Sequence, residues 1–312
     1  MRVIESKLRP DLSDVFGAQL TAIAHHDRCR DRLPGVPSGI LPAMGITRTD
    51  YITDIGARLY KSLTNNYWYP FLSRRLDAED LTCLNYGYEE DPPMALPLAA
   101  SDEPHRFFIQ LYHRTAAQVD LSGKRVLEVS CGHGGGASYL TRTLHPASYT
   151  GLDLNPAGIE FCRRRHNLAG LDFVHGDAEN LPFADQSFDA VVNVEASHLY
   201  PHLPRFLSEV ARVLAPGGHF LYADFHRRHG LAEWEAALAD APMRLLSHAV
   251  IDEQVLHGNK VNAPRKHDLI RRHGATMPRG FARYASDVTD WAFNGALQRG
   301  EFTSRVYCFA KD

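Results

Sequence analysis

The stretch Val126-Leu127-Glu128-Val129-Ser130-Cys131-Gly132-His133-Gly134-Gly135-Gly136 decides the fold. Arg125–Val129 is a short β-branched run, and the glycines after it lead into a helix-compatible segment at Ala137–Thr143. A strand that enters glycines and leaves as a helix brings backbone close to a ligand at the carboxyl edge of a sheet. The turn alone is moderately specific. Gly132-x-Gly134-x-x-Ala137 also satisfies the dinucleotide pattern, and a tight connection with no ligand is the plainer alternative.

Outward from this turn the chain alternates. Strands are expected at Ser148–Leu152, closing on Asp153, and at Asp172–His175, Phe188–Asn193, His219–Ala223 and Ser304–Phe309. Helices are expected at Pro156–His166 and at Leu203–Leu214, the latter closed by Pro216-Gly217-Gly218. Strand–helix alternation with short connections predicts an α/β fold with a mostly parallel sheet and helices on both faces. Residues 121–312 form this core, with a mostly helical cap at 226–300. Residues 46–120 read as a helical lid segment that carries Tyr67-Trp68-Tyr69-Pro70-Phe71, and residues 1–45 as an extension, either a loose tail or a docking arm.

Composition removes several function classes. The 312 residues are 44% hydrophobic and 23% charged with a formal net charge of −3, so no basic surface argues for nucleic acid or an anionic membrane. Cys29, Cys83, Cys131, Cys162 and Cys308 are scattered and odd in number, which fits reduced thiols in a cytoplasm. No metal is expected, since His25-His26-Asp27-x-Cys29 lacks a matched second cluster. No apolar run approaches the roughly 18 residues of a membrane span.

Acids at the strand ends separate the cofactors. Glu128 beside the glycines would repel a pyrophosphate at the helix N-terminus, but it favours the ammonium of S-adenosyl-L-methionine. Asp153 lies about 20 residues past the glycines, where it can accept both ribose hydroxyls or, alternatively, cap the helix starting near Pro156. In His175-Gly176-Asp177-Ala178, Asp177 could bond an adenine amino group while Ala178 offers its amide. Asn193 ends the next strand.

The ordered set Glu128…Gly132-x-Gly134, Asp153, Gly176-Asp177-Ala178 and Leu214-x-Pro216-Gly217-Gly218 resembles the class I methyltransferases. Several runs are closer still to the mycobacterial phthiotriol/phenolphthiotriol dimycocerosate O-methyltransferase family. They include Tyr88-Glu-Glu-Asp-Pro-Pro, Ser101-Asp-Glu-Pro, Glu128-Val-Ser-Cys-Gly-His-Gly-Gly-Gly, Val194-Glu-Ala-Ser-His and Tyr307-Cys-Phe-Ala-Lys-Asp. The resemblance is good over residues 60–235 and the last strand, weak over 240–300 and absent over 1–45. The common class I motif has glycine where this chain has Ser130, a serine the closer family shares. The resemblance implies a seven-stranded sheet, S-adenosyl-L-methionine as cofactor, and cofactor contacts from Glu128, Ser130, Gly132, Gly134, Asp153, Leu154, Asp177, Ala178, Asn193 and Tyr88. Tyr86, Tyr88 and the helix holding Tyr112 and His113 would then form a lid.

For a hydroxyl acceptor the protein must align the oxygen and remove its proton. His198, just past the fourth strand, is the expected base and Asp224, ending the fifth, its partner; similar sugar O-methyltransferases pair a histidine and an aspartate in these positions. His202 and His226 compete for the role. The expected reaction is methyl transfer to a hydroxyl of a lipid, polyketide or glycolipid, with methylation of a glycosylated natural product as the alternative. A non-catalytic cofactor-binding protein and an NAD-dependent dehydrogenase stand further off, and a homodimer is the expected assembly if the chain associates.

Overall fold

A computed structural model of the chain describes Ser73 and residues 81–273 and 293–312. The expectations for residues 1–45, and for most of the helical stretch at 47–80, lie outside these.

Four consecutive buried residues follow Arg125 in β1 (Arg125–Val129), and β4 (Phe188–Val194) is buried at every position except Asp189. Runs of this kind need cover on both faces. The remaining strands are β2 (Ser148–Asp153), β3 (Leu171–His175), β5 (Leu214–Arg227), β6 (Arg244–Val250) and β7 (Phe302–Ala310), in the order β3-β2-β1-β4-β5-β7-β6. β1 to β5 pair parallel, whereas β7 runs antiparallel to both its neighbours.

Alternation along the strands divides the core. Leu127, Val129, Val191, Phe220 and Tyr222 face one helical layer, and Val126, Tyr149, Val192, Leu221 and Ala223 face the other. The first layer includes α4 (Leu203–Val213), whose Phe206, Leu207, Val210, Ala211 and Val213 make a buried stripe at helical spacing, and α5 (Leu231–Ala239) with buried Trp234. The second includes α1 (Arg106–Ala116) and α2 (Gly135–Leu144). α3 (Pro156–Arg165) starts with Pro156 in its first turn and with the Asn155 side chain accepting the Ala157 amide at 3.2 Å, a cap worth about 1 kcal/mol.

Among the described residues of 226–300 helices prevail, as expected, but the segment also holds strand. β5 continues to Arg227, and after α5 the chain forms β6 before α6 (Asp252–His273) and α7 (Phe293–Gln298). β6 lies at the sheet edge with Leu245, Leu246 and Val250 exposed, so no apolar alternation marks it.

Strand order reverses between β1 and β4. Crossover connections there leave to opposite faces, which opens a crevice at the carboxyl ends of the strands.

Candidate active site

Three successive strand ends build one half of that crevice. Ser130 leaves β1 with φ +61, a left-handed conformation that is costly for a side-chain-bearing residue. Its hydroxyl lies 2.6 Å from Tyr200 Oη, and the Asn193 amide donates to the same Tyr200 oxygen at 3.0 Å and to the Val129 carbonyl at 2.9 Å. Tyr200 thus ties the first turn to the end of β4, and these bonds offset the backbone strain at Ser130.

Gly134 caps α2 at φ +74, and a Cβ there would meet the Phe173 and His166 rings at 2.9 Å. The Gly135 amide, the first in the helix, already donates to the Thr82 carbonyl at 3.0 Å. His133 is buried beneath the turn and anchors the incoming chain through Leu81 O and Ser73 Oγ, both at 2.8 Å.

Glu128 is fully buried; Tyr149 donates to its Oε2 at 2.8 Å, while Oε1 has no hydrogen-bond partner among the described residues. Burial pushes its carboxyl up to about 8, against the opposing influence of the Tyr149 and Tyr112 hydroxyls. Asn193 Oδ1, also buried, is likewise without a partner among the described residues. Buried acceptors left unmet are costly, and here they lie beside the glycine turn, where a cationic or hydroxyl-bearing ligand would satisfy them.

Asp153 accepts the Gly132 amide at 2.9 Å and the Asn155 amide at 2.8 Å. Burial raises its carboxyl above the usual range, with those two backbone bonds opposing. The ribose and helix-start readings of this residue are compatible, because each oxygen keeps a second lone pair. Leu154 is 57% exposed and Asp177 is exposed, its Oδ1 accepting the Glu179 amide at 2.9 Å, while Ala178 is buried. These three follow the ends of β2 and β3. Tyr88 differs: its ring is buried in the core and its hydroxyl donates to Glu90 at 2.8 Å. Tyr112 packs against Gly136 and His113 bonds Tyr139, so this helix buttresses the turn.

The other half lies past β4 and β5. His198, in a short 3-10 turn (Ser197–Leu199), places Nδ1 2.7 Å from Asp224 Oδ1. Asp224 is 1% exposed and also accepts the Ser197 hydroxyl at 2.6 Å and the amides of His198 and Phe225 at 3.0 and 2.8 Å. Burial by itself would raise this carboxyl, but His198 and the other donors hold it below its ordinary value. An ionised acceptor on Nδ1 fixes the proton there, which leaves the lone pair of the ring on Nε2.

The two competing histidines are placed differently. His202 bonds Glu179 at the exposed start of α4, and His226 stacks on Trp234 at 4.1 Å.

An aromatic wall adjoins His198. Its ring lies 4.2 Å from Phe225, which meets Tyr86, Phe293 and Phe302 edge-on at 5.0 to 5.8 Å. Tyr86 stacks flat on Phe293 at 3.7 Å, and its amide donates to Glu195 just past β4 at 2.6 Å. The Gly87 amide is held by Asn259 of α6. Sequence reasoning missed Tyr200, Ser197, Phe225 and Phe293 as members of this edge. Position gave a signal for two of them, since Ser197 and Phe225 each neighbour a residue already singled out.

A family profile described as a methyltransferase domain matches residues 127–222. The phthiotriol/phenolphthiotriol dimycocerosates methyltransferase of Mycobacterium tuberculosis is 59% identical over 246 residues, 79% of this chain and 91% of that protein. A fatty-acid O-methyltransferase of Mycolicibacterium smegmatis is 55% identical over 249 residues, 78% and 88% of the two chains. Among solved structures, geranyl diphosphate C-methyltransferase from Streptomyces coelicolor, crystallised with Mg2+, geranyl diphosphate and S-adenosyl-L-homocysteine, superposes with a TM-score of 0.58 at 17% identity. That match covers 81% of this chain and 98% of the other, and it carries the fold. Glycine turn, strand-end acids, sheet order and sequence identity agree: the chain belongs to the phthiotriol/phenolphthiotriol dimycocerosates methyltransferase family, within the class I S-adenosylmethionine-dependent methyltransferases.

Proposed function

We propose that the chain methylates a hydroxyl of a lipid, polyketide or glycolipid, with His198 as general base and Asp224 as its orienting partner. The His198–Asp224 pair, with its ring against the Phe225 wall, carries this reading. Bound S-adenosyl-L-methionine supplies an electrophilic methyl group on a sulfonium centre. Glu128 and Asn193 would accept hydrogen bonds from its methionyl end, Ser130, Gly132 and Gly134 would let its chain lie against the turn, and Asp153 would receive the ribose. Leu154, Asp177 and Ala178 would border the adenine, and Tyr88 would shape the loop from within the core.

At the acceptor, His198 Nε2 takes the hydroxyl proton as the oxygen attacks, and Asp224 stabilises the resulting imidazolium. Tyr86, Phe225 and Phe293 exclude water and hold an apolar chain alongside. We place the reaction in the cytoplasm, supported by Cys83, Cys131, Cys162 and Cys308, all free and buried. The described residues include no helix long and apolar enough to cross a membrane.

A carboxylate acceptor is the second reading, favoured by the relative named as a fatty-acid O-methyltransferase. A carboxylate is already ionised at neutral pH and needs no base, so one variant separates the two. Labelled cofactor is incubated with a long-chain alcohol, a hydroxylated glycolipid and a long-chain fatty acid, using the native chain and His198→Ala. Transfer to a hydroxyl that falls in the variant supports the leading reading. Transfer to the fatty acid alone, equal in both proteins, would replace it.

A further inference from the structure

Asp224 is the end of a longer chain of buried hydrogen bonds. Ser197 Oγ sits 2.6 Å from Asp224 Oδ2 and 2.5 Å from Tyr222 Oη, and Trp234 Nε1 reaches that same phenol oxygen at 3.1 Å. Ser197, Tyr222, Asp224 and Trp234 are all buried.

Chemistry fixes the direction of every proton in the chain. An ionised carboxylate accepts only, so the Ser197 hydroxyl donates to Asp224. Having given its one proton there, Ser197 Oγ accepts from Tyr222. An indole N–H donates only, so Tyr222 accepts from Trp234. Burial holds the Tyr222 phenol well above its ordinary titration range, so its proton is present throughout. The bonds therefore run Trp234 to Tyr222 to Ser197 to Asp224, each polarising the next.

We infer that Ser197, Tyr222 and Trp234 are positioning residues that draw charge away from Asp224 and so weaken its hold on a proton at His198. The inference rests on the reading of His198 as the base. A bare buried aspartate would bind the imidazolium strongly and hold His198 charged, when it could accept no proton. Four donors share the Asp224 charge, which divides its pull among them while its bond to Nδ1 still orients the ring.

Other charged groups around the cluster lie outside this chain of hydrogen bonds, although His226 adds to the electrostatic pull that lowers the Asp224 carboxyl. His226 on β5 is turned onto Trp234, Arg305 opposite Asp224 on β7 is paired with Glu235 of α5, and Glu195 past β4 accepts the Tyr86 amide.

The test is an imidazole NMR titration of the full chain, with the His198 signal assigned by its loss in His198→Gln. Tyr222→Phe deletes one donor while keeping the ring, and Ser197→Ala breaks the chain at its last link. The His198 midpoint should rise by about half a pH unit in the first and by more in the second, the size expected for one ordinary hydrogen bond. A structural role alone would loosen the His198–Asp224 contact and lower the midpoint. A lowered or unchanged midpoint in a folded variant overturns the inference. Should Tyr222→Phe not fold, Ser197→Ala and Trp234→Phe decide it by the same sign. Near-native methyl transfer by His198→Ala would instead remove the base assignment and leave the titration result standing.

Discussion

The two halves of the carboxyl edge differ in how complete they are. Past β4 and β5 every described hydrogen-bonding atom of Asp224 is engaged, and His198 is locked by its Nδ1 and its backbone amide. Around β1 the opposite holds, with Glu128 Oε1 and Asn193 Oδ1 buried and unmet among the described residues. A group that moves a proton needs fixed geometry before substrate arrives. A group that binds a cation gains most when its demand is met only by the ligand. On the proposed assignment, the acceptor half is built for readiness and the cofactor half for capture.

The largest expected effect tests the first half. His198→Ala should cut methyl transfer to a hydroxyl by about 10²-fold or more while S-adenosylhomocysteine binding, read by calorimetry, stays within about twofold. Loss of binding together with turnover would erase the distinction between the halves.

Next comes Glu128→Gln, which should weaken the cofactor by roughly tenfold while stabilising the ligand-free protein by on the order of 1 kcal/mol or more at pH 8. The folded carboxyl titrates near 8 and the unfolded one near 4.5, so between those values the folded state holds the extra proton. Stability attributable to this group therefore falls as pH rises through that window, and removing its charge recovers it. Thermal melts from pH 5 to 8 check the sign, since the native protein and the Glu128→Gln variant should diverge only as pH increases. Cofactor binding at pH 7 should also release protons, measurable by calorimetry in buffers of different ionisation enthalpy.

A smaller effect is expected at the junction between the halves. Tyr200→Phe removes the partner of both Ser130 and Asn193 and should destabilise the fold by about 1 kcal/mol, with a several-fold loss of cofactor affinity. Smallest is Ser130→Gly, which relieves a positive φ but loses the Tyr200 bond. Its change in stability should stay under about 1 kcal/mol by chemical denaturation, because the two contributions oppose each other.

The sequence made the central strands legible because their residues are apolar on both faces, and β1 begins and ends where its pattern does. β6 was hidden for the converse reason. An edge strand with Leu245 and Leu246 in solvent has no buried face to write an alternation, and its leucines and alanine read as helix. At the site, strand ends follow from topology, so Asp153, His198 and Asp224 could be placed by counting strands. Tyr200 could not, since its importance arises from the φ of Ser130 on another strand, and no local pattern encodes that meeting. The packing of Tyr112 beside Gly136 was not legible, because a buried aromatic and a covering one have the same composition.

The Thr82 carbonyl on the first amide of α2 has a further consequence for selectivity. In a phosphate-binding version of this turn that amide faces the anion, but here it is held by a tethered oxygen at high effective concentration. A Cβ on Gly135 would lie 2.6 Å from the same oxygen, so the strap is pressed against the helix start with no room between. Any nucleotide bearing phosphates must compete with a group the chain cannot release without displacing its own strap. A phosphate at this turn would have to displace the Thr82 carbonyl, a competition that a ligand without phosphate does not meet.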